Sequence, residues 1–208
     1  MNLVLISSVI NITKNKFSNG ASRSVFGVED RFNQTIQTID SCKKLKNVSV
    51  VLAEATEIPK DFESILKSKV DQFIQIKDDK TTSEFKVVTE ASLLRSAIDS
   101  IDLSKYDNIF KLSGRYYLND NFDYSIFDNN ETCFFMPAPP LGMASTILYK
   151  INSKHYELFL ETLDHCRSLN SAKFIEAEFY DKFEHVFSRL PYLRISGLVS
   201  DNGQFISY

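Results

Sequence analysis

A chain of 208 residues that is 43% hydrophobic and 25% charged is long enough for one folded domain with a sizeable core, which argues against a disordered segment. Its formal charge of −3 gives no electrostatic reason to expect a nucleic-acid partner. Cys42, Cys133 and Cys166 lie far apart with no CxxC spacing, which argues against a disulfide framework or a zinc site and for buried free thiols in a reducing, cytoplasmic setting.

Leu3 to Ile12 is rich in Val and Ile and reads as a strand covered on both faces, as in a parallel sheet. This opening lacks a basic leader and a small-residue cleavage site and is too short to span a bilayer, so no signal peptide or integral membrane segment is expected. Thr13 to Gly27 is a long polar loop, of a length that often carries function. Glu29 to Lys46 reads as a helix, with Phe32, Ile36, Ile39 and Leu45 near one face. Glu29 and Asp30 suit the positive end of its dipole. Val48 to Ala53 is a second strand, Pro59 can open a short helix, and Gln72 to Ile76 alternates as a third strand. Val87, Ala91, Leu94, Ile98 and Ile101 form one helical stripe, preceded by Thr81 and Glu84 at capping-box spacing. Asn108 to Leu112 is a fourth strand, ending at Ser113-Gly114-Arg115.

To this point strand and helix alternate, which predicts right-handed crossovers and parallel strands with helices on both faces. The second half differs. Thr132 to Met136 and Ser145 to Ile151 read as strands around Pro137-Ala138-Pro139-Pro140. Lys154 to Leu169 and Lys173 to Phe187 read as helices, and Tyr192 to Val199 with Gln204 to Ser207 as a closing hairpin turned by Asn202-Gly203. The expected class is α/β: a Rossmann-like, mostly parallel sheet that becomes mixed in the second half of a single domain.

Ligands of open α/β sheets bind beyond the carboxyl ends of the strands. Ser7-Ser8, Glu54, Asp78-Asp79 and Ser113-Gly114-Arg115 stand at those ends. Gly114 would let backbone approach a ligand, Arg115 presents a fork suited to two phosphate oxygens, and Tyr116 can stack on a base or sugar. The plainer alternative is a strand-end turn with Arg115 paired to a surface carboxylate. Arg23 and Arg31 are further candidates. Arg31 lies in the first turn of its helix, where the dipole disfavours a cation, which points to a partner such as a diphosphate or Glu54; taken alone, the residue reads first as an ordinary solvated arginine. Glu176 borders the stripe of Ile175, Phe179, Phe183 and Val186, and a carboxylate partly withdrawn from water there can act as a general base. Glu178 reads as solvated. His155, His165 and His185 show no metal spacing, and neither a dinucleotide glycine motif, a P-loop nor a nucleophile elbow occurs.

Three stretches carry a resemblance: Arg23-Ser24-Val25-Phe26 leading to Glu29-Asp30-Arg31-Phe32-Asn33-Gln34-Thr35-Ile36-Gln37-Thr38-Ile39; Lys111-Leu112-Ser113-Gly114-Arg115-Tyr116; and Ile195-Ser196-Gly197-Leu198 with Asn202-Gly203. The pattern spans most of the chain and resembles small glycosyltransferase-like proteins of bacteria and large phages, including the lipopolysaccharide-synthesis type called WavE. The resemblance implies a glycosyltransferase A-type fold, with a nucleotide-binding half over 1–118 and an acceptor half over 119–208. Its implied ligands are a nucleotide sugar and a saccharide acceptor. On that basis Ser8, Arg23, Arg31 and Glu54 would line the nucleotide side. Lys111, Ser113, Gly114, Arg115 and Tyr116 would meet the diphosphate and sugar, and Glu176 would be the base of an inverting reaction.

The chain departs from that fold's usual pattern in one respect. The Asp-x-Asp that holds a divalent metal on the diphosphate is absent, and Ser113-Gly114-Arg115 stands where it belongs. Either Arg115 and Lys111 neutralise the diphosphate without a metal, or the protein binds without transferring. A nucleotidyltransferase, drawing metal ligands from Asp78 and Asp79, is the third reading.

Overall fold

The computed structural model describes residues 1–12, 24–127, 129–137, 142–200 and 202–208. Arg23, most of the expected Thr13–Gly27 loop and the Ala138-Pro139-Pro140 turn lie outside the described residues. Strand β1 (Asn2–Ser8) is apolar enough to be covered on both faces, and it sits inside the main sheet. On one side it pairs in parallel with β2 (Val48–Glu54), which pairs in parallel with β3 (Gln72–Gln75). On the other side it pairs in parallel with β4 (Asn108–Ser113). The sheet then turns mixed, as expected. β7 (Leu148–Asn152) runs antiparallel to β4, β6 (Thr132–Phe135) antiparallel to β7, and β8 (Phe187–Leu190) parallel to β6. The order is β3-β2-β1-β4-β7-β6-β8. The chain turns one way from β1 to reach β2 and reaches β4 on the opposite side, so the topological switch point lies between the ends of β1 and β4.

Helices cover both faces. α1 (Val28–Cys42) and α2 (Lys60–Lys67) bury Ile39, Cys42 and Leu66 on one side. α3 (Lys86–Ile98), α4 (Tyr156–Ser168) and α5 (Ile175–Phe183) cover the other. The predicted stripe Val87, Ala91, Leu94 and Ile98 is buried there, and each buried Val, Leu or Ile of this kind contributes roughly 1.5–3 kcal/mol. Beside it Phe134, Tyr149, Phe159, Phe179 and Phe183 meet ring to ring. All three cysteines are free and buried. Among the described residues no helix is long and apolar enough to cross a membrane.

Several local expectations need correction. Thr81 and Glu84 do not cap α3. The N-cap position of α3 is Phe85, with no side-chain cap, and Asp78 caps a separate 3₁₀ turn over residues 79–82, its side chain accepting from the Lys80 amide at 2.9 Å. α1 stops at Cys42, and Asn47 adopts a left-handed φ of 57° before β2. The helix expected to reach Phe187 stops at Phe183, which frees Phe187–Leu190 to pair with β6. A short strand, β5 (Tyr116–Leu118), follows β4 directly. It pairs with β9 (Ile195–Leu198), which pairs with β10 (Phe205–Ser207), and the three form a second antiparallel sheet. The closing hairpin is therefore present, with Gly203 at φ 71° in its turn.

Candidate functional site

A cavity of about 500 Å³ opens at the switch point. Ser7 and Ser113, paired in register at the ends of β1 and β4, lie at its base. Arg31 and Arg115 lie on one side, Glu84, Lys86 and Glu90 at the start of α3 on another, and Thr146 and Glu176 beyond them. Of the candidate residues among those described, the structure brings Arg31, Ser113, Arg115, Tyr116 and Glu176 to this cavity and keeps Ser8, Glu54, Lys111 and Gly114 out of its lining.

The two arginines dominate the electrostatics. The Arg31 side chain is 6% exposed. Its Nε and Nη2 donate to the Val9 carbonyl at 3.1 and 2.8 Å, and its buried Nη1 has no partner among the described residues. The expectation that Glu54 holds it is corrected: a main-chain oxygen does. Burial first, then the charge of Arg115, pulls Arg31 down to about 9. Arg115 makes no side-chain hydrogen bond or ion pair among the described residues, and its guanidinium lies 5.4 Å from the Tyr116 ring centre. The surface ion pair considered for Arg115 does not form. Two neighbouring guanidiniums with unused donors form a cavity wall suited to an anion.

Four candidates prove to be supports rather than contacts. Ser8 points away from the cavity and meets the Thr35 hydroxyl at 3.1 Å, because successive residues of a strand face opposite sides; Ser7 takes the position facing the cavity. Gly114 is close to backbone, not to ligand space. Its amide donates to the Ser7 carbonyl at 2.8 Å, and a Cβ there would sit 3.1 Å from the same oxygen. Glu54 is fully buried, and one carboxylate oxygen accepts from the Ile10 and Thr56 amides at 3.0 and 2.9 Å and from the Thr56 hydroxyl. It organises the loops at the ends of β1 and β2. Lys111 is fully buried and donates to Glu90 Oε1 at 2.7 Å, Ser113 Oγ at 2.9 Å and the Thr146 carbonyl at 2.5 Å. An ammonium has three donors, so none remains for a diphosphate. Tyr116 does border the cavity but is 3% exposed, which leaves no free ring face for stacking.

Glu176 lines the cavity beside Thr146. Its Oε1 accepts from Thr146 Oγ1 at 3.1 Å and lies 3.7 Å from Lys86 Nζ, while its buried Oε2 has no partner among the described residues. Glu178, expected to be solvated, is buried and paired with Lys173 at 2.9 Å and His165 at 3.0 Å. Asp78 is engaged by Arg167 at 3.1 Å and Ser96 at 2.9 Å, so it is not available as a metal ligand.

The metal implied by the resemblance does not fit these residues. The end of β4 offers a hydroxyl and a guanidinium, and a guanidinium competes with a cation for anionic ligands. The Glu90 carboxylate is tied to Lys111, and no group of three or more His, Cys, Asp or Glu side chains suited to a metal occurs among the described residues.

Glu90 was not anticipated. It lies on the cavity border of α3, next to the apolar stripe, and its partner Lys111 is on another element. The signal was available: a lysine inside the apolar strand Asn108–Leu112 needs a buried carboxylate.

The sheet order, the helices on both faces and the cavity at the switch point define the glycosyltransferase A-type fold. Solved structures share it. One, from Desulfovibrio desulfuricans G20 and assigned as a nucleotide-diphospho-sugar transferase, aligns with a TM-score of 0.54 at 10% identity over 91% of this chain and 79% of its own. A Bacillus anthracis protein assigned as a glucose-1-phosphate thymidylyltransferase aligns with a TM-score of 0.55 at 11% identity over 95% and 89%. A glycosyltransferase involved in glycosylating the major capsid of the virus PBCV-1 aligns with a TM-score of 0.51 at 10% identity over 90% and 78%. No protein-family profile and no curated protein matches the sequence.

Proposed function

We propose that this chain transfers a sugar from a nucleotide-sugar donor to a saccharide acceptor, with arginine rather than metal on the diphosphate. The observation that carries the reading is the pair Arg31 and Arg115, both with unused donors, at the switch point of the sheet. In this reading the acceptor hydroxyl attacks the anomeric carbon, its proton passes to Glu176, and the bond to the diphosphate breaks. Arg115 and Arg31 take the charge that builds on the leaving oxygen. The first half, 1–118, holds the nucleotide, and the second, 119–208, supplies Glu176 and the acceptor side. The named fold neighbours act on nucleotide sugars as glycosyltransferases or form them as nucleotidyltransferases, which supports the ligand class. Glycosyl transfer is favoured because nucleotidyl transfer wants acidic metal ligands, and Asp78 is committed to Arg167. The resemblance to the lipopolysaccharide-synthesis type favours a polysaccharide acceptor, and three buried free thiols favour the cytoplasm.

The test is incubation with a panel of nucleotide sugars and saccharide acceptors, with and without EDTA. Release of nucleoside diphosphate that persists in EDTA supports the reading. Metal-dependent release of pyrophosphate, or binding with no turnover on any pair, replaces it with nucleotidyl transfer or a binding module.

A further inference from the structure

Three features set Glu90 apart in the cavity. Its Oε1 is held by the fully buried Lys111 at 2.7 Å, which fixes the carboxylate in one orientation. The side chain keeps 18% of its surface exposed in the cavity lining, and its second oxygen has no hydrogen bond among the described residues. Glu90 is also near enough to Arg115 for the two charges to act on each other, yet no ion pair closes between them.

We propose that Glu90 is a specificity-determining residue that accepts hydrogen bonds from hydroxyl groups of the donor sugar. The inference rests on the diphosphate being held by Arg31 and Arg115. A carboxylate offers only acceptors; it repels phosphate and favours groups that donate, and a sugar ring attached to the diphosphate brings hydroxyls to the α3 wall. Lys111 does not touch the sugar. It keeps Glu90 ionised and aimed, and through the Thr146 carbonyl it fixes the segment whose hydroxyl bonds Glu176. Two of the cavity's carboxylates, Glu90 and Glu176, are thus positioned from one buried ammonium.

The experiment compares each nucleoside diphosphate with its sugar conjugate by calorimetry: UDP with UDP-glucose, GDP with GDP-mannose, and dTDP with dTDP-glucose. In the wild type one conjugate should bind more tightly than its diphosphate, and in Glu90→Gln that ratio should fall by about 10- to 100-fold, the size of a hydrogen bond to a charged group. Glu90→Gln leaves a buried ammonium short of its partner, so the double variant Glu90→Gln with Lys111→Met, which removes both charges, guards against loss of folding. A ratio unchanged in the folded variant overturns the proposal, as does a wild type that binds a diphosphate with no gain from any sugar. A wild type that binds none of the three diphosphates overturns the reading of the site itself, and this proposal with it.

Discussion

The Gly114 amide donates to the Ser7 carbonyl at 2.8 Å, and this bond fastens the end of β4 to the end of β1 at the point where Arg115 enters the cavity. The approach is tight for any residue larger than glycine. A Cβ at position 114 would meet Ser7 O at 3.1 Å, Ser8 Cβ at 3.4 Å and Thr35 Oγ1 at 3.4 Å. Gly114→Ala should therefore cost about 1–3 kcal/mol, the usual cost of overpacking. Urea denaturation measures it; an unchanged midpoint would mean that the backbone yields freely there.

Burial of Glu54 should give the protein a pH-dependent stability. Burial, the largest influence, raises its carboxyl above the ordinary value of 4.5, despite the hydrogen bonds from Thr56 and Ile10. An acid raised in the folded state binds its proton more tightly there than in the unfolded chain. Its contribution to stability is complete below about pH 4.5 and is lost as pH rises through the folded value. Glu54→Gln removes that loss, so the variant should gain on the wild type as pH rises above about 4.5, until the raised folded-state value is passed. Denaturation curves across that range decide it, and a pH-independent difference would contradict the assignment.

The sheet was legible where burial leaves a local trace. β1 to β4 are short runs of Val, Ile, Leu and Phe, and their alternation with helices dictated parallel pairing. β5 and β8 left no such trace. Tyr116–Leu118 is three residues long and depends on β9, almost eighty residues away, while Phe187–Leu190 continues the helical pattern of α5 and is decided by pairing with β6. Of the candidate site, the placement of Arg31, Ser113, Arg115 and Glu176 around one cavity was legible from their positions at strand and helix ends. The sequence did not reveal which side chains turn inward: Ser8 differs from Ser7 only by strand parity, and Lys111 differs from Arg115 in lying before the strand end rather than after it.

Glu176→Gln should leave nucleotide-sugar affinity nearly unchanged and lower turnover by about 10²–10⁴-fold, the usual contribution of general-base help. The amide keeps an oxygen to accept from Thr146 but cannot take the acceptor's proton. Steady-state kinetics with a saccharide acceptor, set beside calorimetry on the donor, makes the comparison. Equal losses in affinity and turnover would assign Glu176 to binding.

Arg115 gives the sharpest test of the anion site. Its guanidinium is attached just past the end of β4, borders the cavity and makes no ion pair among the described residues. Its backbone is held from behind: Gly197 of β9 packs against the Arg115 carbonyl and leaves no room there for a side chain. The position is thus rigid while the charged end is free, a fit arrangement for an incoming diphosphate. Arg115→Ala should weaken binding of a nucleoside diphosphate by about 1.5–3 kcal/mol, the range for hydrogen bonds to charged groups. The bare nucleoside, without phosphates, should bind the two proteins alike. Arg115→Lys should recover little, because an ammonium does not reproduce a two-pronged contact. Were Arg115 only a solvated surface charge, its removal would change stability by no more than about 1 kcal/mol and leave both ligands untouched. Calorimetry on the three proteins with diphosphate and nucleoside separates these outcomes, and equal diphosphate affinities in wild type and Arg115→Ala would remove the arginine from the site.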